Sequence, residues 1–197
     1  EAETAARLTT VAELLFNRGE FVYAKRYLEW AQRVTRKPAL ILRLTGLSFE
    51  IEFIQGGTVR ASMVLRLVKE FGRHDPSYAA NLLAVAALYF AERWELKDAT
   101  ELLRHSSEFQ GSASAECLVV TDRARMLVST ISGDTGTLAP KYEPAGNTRT
   151  LCLLVQGRAL SYAERYDHAH EAFAMVRSSG EPSDTIWRET AMFLAVD

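Results

Sequence analysis

Between Leu8 and Ala31 the apolar and small residues fall at Leu8, Ala12, Leu15, Phe21, Ala24, Leu28 and Ala31, in steps of three, four and seven. That period predicts two short amphipathic helices, broken near Gly19. The same offsets return at Leu83, Ala87, Phe90, Leu96, Ala99 and Leu103, and again at Leu153, Gly157, Leu160, Tyr166, Ala169 and Phe173. Ala24 and Ala99 stand 75 residues apart and Ala99 and Ala169 stand 70 apart, each about two units of 34 to 38. An altered unit fills the first gap. Leu42, Gly46 and Phe49 mark its first helix, Ala61, Leu65 and Val68 its second, with about three extra residues around Gln55-Gly56-Gly57. Pro38, Pro76, Gly111 and Pro182 follow the second helices, where a missing donor or a free φ ends a helix.

The fold class this predicts is all-α: antiparallel helix pairs, four to five of them, stacked because one hairpin cannot bury its apolar stripe alone. A small residue on each helix lets the backbones approach while a large partner fills the groove beside it. The expected units are 5–38, 39–76, 77–111, an irregular helix plus loop over 112–149, 150–182, and a closing helix over 183–197, all within a single domain. In the irregular stretch, Ser114 to Ile131 carries Cys117, Ala124, Leu127 and Ile131 at helical spacing. Ser132 to Thr148 holds Gly133, Gly136, Pro140, Pro144 and Gly146, which forbid a second helix and leave a long loop, either disordered or partner-docking.

At these anchor positions the sequence resembles the tetratricopeptide repeat (TPR), a family of ~34-residue helix–turn–helix units. The resemblance covers roughly 5–111 and 150–197 and is degenerate: Leu8, Leu42, Leu83 and Leu153 stand where the family has Trp. It implies a right-handed superhelix whose first helices line a concave surface that binds a protein or peptide. The matching groove positions are Glu13, Asn17, Arg43, Glu50, Asn81, Glu92, Arg158 and Tyr162. In family members that clamp the acidic C-terminus of heat-shock chaperones, Lys and Asn occupy sites that here are Thr9 and Glu13, and Glu13 would repel a carboxylate. The irregular early units and the long insertion also resemble the N-terminal halves of TPR scaffold subunits of the anaphase-promoting complex, which implies homodimer pairing. Bacterial secretion chaperones with similar repeats are a comparable likeness.

Composition changes this picture little. The chain has 197 residues, 23 Lys+Arg against 25 Asp+Glu, and 48% hydrophobic residues. That lacks the basic excess of a dedicated nucleic-acid binder. The apolar run from Ala79 to Ala91 falls short of the ~20 residues that cross a bilayer and reads as a buried helix. No secretory leader is evident, the chain does not open on Met, and it reads as a processed chain or a piece of a longer one. Cys117 and Cys152 lack metal or redox spacing and suit a reducing compartment, so an intracellular, cytoplasmic setting is expected.

Chemistry is sparse. His168 and His170 are two apart and point to different helix faces, without the i, i+4 spacing of a helical zinc site. Gly56-Gly57 is followed by Thr58-Val59, not by a phosphate-binding Gly-Lys-Ser/Thr run, and no Ser stands in a G-x-S-x-G turn. Glu50 and Glu52 diverge on a helix, a poor start for shared acid–base work. Neither enzyme activity, metal nor cofactor is expected. Lys25, Arg26, Arg33, Arg36, Lys37, Arg60, Arg66, Lys69 and Arg73 form either a solvated outer face or a basic patch for an acidic partner. Phe16, Phe21, Tyr23, Tyr27 and Trp30 exceed what one hairpin core needs and predict self-association. Two functional classes stand: an interaction scaffold with an open, mixed polar groove, and a ligand-sensing regulator with a closed apolar pocket.

Overall fold

A computed structural model describes residues 2–133, 153, 156, 157, 160, 161 and 164–178. Its elements are helical, with no strand among the described residues: α1 (Ala2–Asn17), α2 (Phe21–Val34), α3 (Pro38–Ile54), α4 (Ala61–Phe71), α5 (Pro76–Glu92), α6 (Leu96–Ser106), α7 (Ala115–Ile131) and α8 (Tyr166–Ser178), with 3-10 turns at Gly72–His74 and Ser107–Ser112. Residues 153, 156, 157, 160 and 161 are helical as well. Two compact units emerge, one of residues 2–86 with 105–113, the other of 87–104 with the described residues from 114 onward.

One turn geometry recurs. Gly19, Gly56, Trp94 and Glu164 adopt left-handed φ of 76°, 71°, 65° and 56°. Each lies five residues before an anchor alanine (Ala24, Ala61, Ala99, Ala169). The next residue's N–H reaches back to a first-helix carbonyl in every case: Glu20 to Leu15 (2.9 Å), Gly57 to Glu52 (2.6 Å), Glu95 to Phe90 (2.9 Å) and Arg165 to Leu160 (2.9 Å). The left-handed residues themselves donate to Phe16, Phe53, Ala91 and Ser161. These are Schellman ends, which satisfy carbonyls that the terminating helix leaves open and reverse the chain into the next helix. Four turns thus share one geometry at one offset from these alanines.

The altered second hairpin takes up its extra residues in two places. α3 runs on to Ile54, five residues past Phe49, whereas α1 stops two past Leu15. After Gly56 the backbone stays non-helical to Arg60, and α4 opens on Ala61 itself. The other second helices open three residues ahead of their alanines, at Phe21, Leu96 and Tyr166. The prolines expected to end helices begin the next ones instead. α2 already ends at Val34, and Pro38 and Pro76 are the first residues of α3 and α5, where a missing N–H costs nothing.

In the first unit, α1 and α2 pack against each other and both pack on α3. Ala12, Ala24, Leu28 and Ala31 meet Leu44, Leu47 and Ile51 of α3, flanked by Leu8, Leu15, Phe16, Phe21 and Tyr27. Burying each large aliphatic side chain contributes about 1.5–3 kcal/mol. The opposite side of α3 is apolar too, which suits a helix packed on two sides. There Gly46 lets α5 lie close: a Cβ at Gly46 would stand 2.6 Å from the Tyr78 ring and 3.1 Å from Leu82. Phe109, in the turn after α6, comes near Gly72.

In the second unit α8 presents Ala169, Phe173 and Val176 to Leu160, with Leu153 beside them. Gly157 makes room there, since a Cβ would lie 2.5 Å from Phe173. α7 occupies the predicted stretch and buries Cys117, Val119, Ala124, Met126 and Leu127. It also buries Asp122, which Arg125 pairs one turn on. The greater part of the breaker-rich loop over 132–148 and the closing helix expected over 183–197 lie outside the described residues.

Candidate functional site

The junction of α1, α3 and α5 in the first unit gathers a connected set of polar contacts. It begins with a cap. Asp75 precedes Pro76 and accepts the Tyr78 N–H on Oδ1 at 3.1 Å, satisfying an open donor in the first turn of α5. Its other oxygen, Oδ2, accepts from Arg43 Nε at 2.7 Å, so one carboxylate both starts α5 and ties it to α3. The Arg43 guanidinium also lies 4.0 Å from Glu13 Oε1 on α1 and 6.0 Å from the Tyr78 ring centroid. Two turns along α3, Glu50 Oε1 accepts the Tyr78 hydroxyl at 2.9 Å. Three successive first helices are thereby joined through side chains.

The electrostatics follow from that crowding. The Asp75 hydrogen bond holds Arg43 above its usual range. Burial, with a smaller push from Glu13, raises the Glu50 carboxyl to about 7, although the Tyr78 bond pulls the other way. Burial and the Glu50 charge lift the Tyr78 phenol well above its ordinary value. The junction holds three carboxyl groups and one guanidinium.

Of the groove residues read from the repeat, Glu13, Arg43 and Glu50 meet here. Asn17 is exposed at the end of α1, and Asn81 is half-buried one turn beyond Tyr78. Glu92 is exposed at the end of α5, in the second unit. Arg158 and Tyr162 lie outside the described residues. Arg43 and Glu50 thus fasten neighbouring helices, a task the pattern did not assign them. Tyr78 and Asp75 were missed; the Asp-Pro pair before an apolar run is a capping signal, but its second bond to α3 is not readable from spacing. Thr9, at one clamp position, is buried with its hydroxyl bonded to the Ala5 carbonyl at 2.8 Å.

The opposite flank of α3 carries a separate tie. Lys25 Nζ on α2 donates to Glu52 Oε1 at 2.6 Å and to Gln55 Oε1 at 2.9 Å. Glu50 and Glu52 therefore do diverge, one to α5 and one to α2. Lys25 is thus committed inside the unit, while Arg26, Arg33, Lys37, Arg60, Arg66, Lys69 and Arg73 are exposed. The aromatic excess of the first hairpin divides likewise. Phe16 and Phe21 meet edge to face at 5.8 Å and pack on the core, whereas Tyr23 and Trp30 are 54% and 49% exposed.

Among the described residues, no group of three His, Cys, Asp or Glu is placed to hold a metal ion. No described helix is long and apolar enough to cross a membrane. Burial raises the Cys117 thiol, which makes it a poor nucleophile at neutral pH. The last hairpin carries an open depression of about 300 Å³, with Leu153 and Leu160 on its floor and Arg165, His168 and Glu171 on its rim. Another of about 520 Å³ lies along α6, by Leu96, Thr100 and Arg104. No protein-family model, no curated protein and no solved structure matches the chain.

Proposed function

We propose that the chain is a non-enzymatic interaction scaffold of degenerate TPR type that holds a protein or peptide along its first helices. The observation that carries this reading is the face of α1, α3 and α5, where Glu13, Arg43, Glu50, Asp75 and Tyr78 hold adjacent helices in register. A fixed face of mixed sign suits a polypeptide better than one uniformly charged ligand, because little ordering is left to be lost on binding. The recurring Schellman turns support the repeat relationship, and in this reading the hairpins continue into a right-handed superhelix. An N-terminal part of a larger complex subunit, or a secretion chaperone, are roles of this class, in a cytoplasmic setting.

A photo-cross-linking residue placed at Asn17 or Asn81 tests the reading against the same residue at Arg33 or Arg66, exposed on second helices. Polypeptide adducts from the source organism are expected at the first pair and not at the second. Equal yields at all four would remove the proposed face.

Self-association is the second part of the proposal. Tyr23, Trp30 and Val34 are exposed on the side of α2 away from Lys25, and half-buried Tyr27 links them to the core. Tyr27 and Trp30 meet edge to face at 5.2 Å. Such a stripe suits a second copy of the hairpin. The sensor alternative is less well supported, since the two described depressions are open rather than closed apolar pockets.

A further inference from the structure

We propose that a second copy of the chain docks antiparallel on α2, with the arginines of each copy set over the aromatic rings of the other. The pairing rests on the self-association read from the same flank, and it adds the residues that meet, their direction and their register.

Helix geometry lays out the face. Ala24, Leu28 and Ala31 turn one side of α2 to its own core. On the opposite side Tyr23 and Trp30 are 54% and 49% exposed. Seven residues apart, they stand almost one above the other. Arg26 and Arg33, also exposed and seven apart, form a second column three residues further along. Exposed Val22 and Val34 close the two ends. The contact chemistry is already made once within a copy, where the Arg26 guanidinium lies 5.9 Å from the Tyr23 ring centroid, in the range of cation–ring attraction.

A two-fold pair of helices can run in either direction, and the charges choose between them. In a parallel pair identical residues stand level, so Arg26 meets Arg26 and Arg33 meets Arg33, a like-charge contact with no return. An antiparallel pair centred on Leu28 sets Tyr23 level with Arg33 of the second copy, Arg26 level with Trp30, and Val22 level with Val34. Each exposed ring then meets a guanidinium, and the valines meet at the ends. Glu29 comes within one residue of the level of Arg26 of the second copy, so a carboxylate offsets the cations along that edge. Exclusion of water strengthens the cation–ring contacts relative to the exposed one inside a single copy. The rings supply the buried area and the arginines the register. A carboxylate at position 30 would meet Arg26, but an exposed ion pair restores little of what the lost indole removes.

Sedimentation equilibrium of the full chain and of three double variants tests the pairing. Arg26→Gln with Arg33→Gln is expected to raise the dimer Kd about tenfold or more, because every cation–ring contact is lost. An apolar contact with arginines merely nearby would instead tighten, since like charges are removed. Tyr23→Arg with Arg33→Tyr exchanges residues that stand level across the dimer, and its Kd is expected to stay within about threefold of the wild type. Tyr23→Arg with Arg26→Tyr has the same composition but sets arginine level with Arg33 of the second copy, and is expected to weaken the dimer about tenfold. A glutamine variant that dimerises as well as the wild type or better, or two exchanges with equal effect, would overturn the antiparallel register while leaving self-association standing. A monomeric wild type would overturn both. These side chains face water, so circular dichroism should show unchanged helicity; should an exchange variant lose it, the sign of the glutamine effect still decides.

Discussion

Glu50 shows how one carboxyl group can set the pH profile of a helical face. Its folded value, near 7, lies above the 4.5 of an unconstrained glutamate, so the folded chain holds a proton that the unfolded chain has lost. The contribution to stability is therefore full below 4.5, falls as pH rises to 7, and changes no further above that. Relative to Glu50→Gln, the wild type is expected to lose at most about 3 kcal/mol across that window. Urea melts of both proteins at pH 5 and pH 8 check it; parallel profiles would contradict it.

Trp94 makes a second point at this scale. It holds the left-handed position that Gly19 and Gly56 fill in the first two hairpins, and a side chain there costs about 1–2 kcal/mol. Glu164 holds the same position in the last hairpin and is exposed, so Glu164→Gly is expected to raise thermal stability by about 1 kcal/mol, read by calorimetry. Gly19 announces its turn in the sequence because only glycine advertises a left-handed φ, whereas Trp94 and Glu164 do not. The offset to the alanines put Glu13, Arg43 and Glu50 on first helices, without showing that they meet. Asp75 and Tyr78 were not, because a cap and an aromatic near a helix start give no sign of what they touch across the unit.

At the scale of elements, close approach is the controlling feature. Gly46 and Gly157 each sit where a Cβ would enter an aromatic ring, at 2.6 Å from Tyr78 and 2.5 Å from Phe173. Gly46→Ala and Gly157→Ala are each expected to destabilise by about 1–3 kcal/mol, the usual effect of overpacking. Gly46→Ala should also displace Tyr78 and shift the Glu50 midpoint, which Gly157→Ala should leave alone. Denaturation together with the carboxyl titration separates the two. The helix pairs were readable because their apolar positions keep the 3.6-residue period. The run-on of α3 to Ile54 was not, since a helix apolar on two sides gives weak periodicity and the sequence marks only that extra residues exist. The split of the described residues into two compact units, passing through α5 and α6, likewise leaves no mark in composition or spacing.

At the scale of the whole molecule, self-association and partner binding make opposite demands on surface. The Tyr23–Trp30 flank of α2 offers apolar area, while the α1–α3–α5 face offers fixed polar groups. Light scattering at tens of micromolar should show a species larger than the monomer, and Trp30→Glu should return it to monomer with its helicity unchanged, because half of the indole is already in water. A monomer at that concentration would contradict the role given to this flank. The face of first helices is tested most directly by amide exchange on the chain bound to the polypeptide that the Asn17 and Asn81 cross-linkers identify. New protection is expected on α1, on α3 and over residues 76–86, with α2 and α4 unchanged. Protection confined to α2 and α4, or spread evenly over all five, would contradict the claim that this face is what the protein offers its partner.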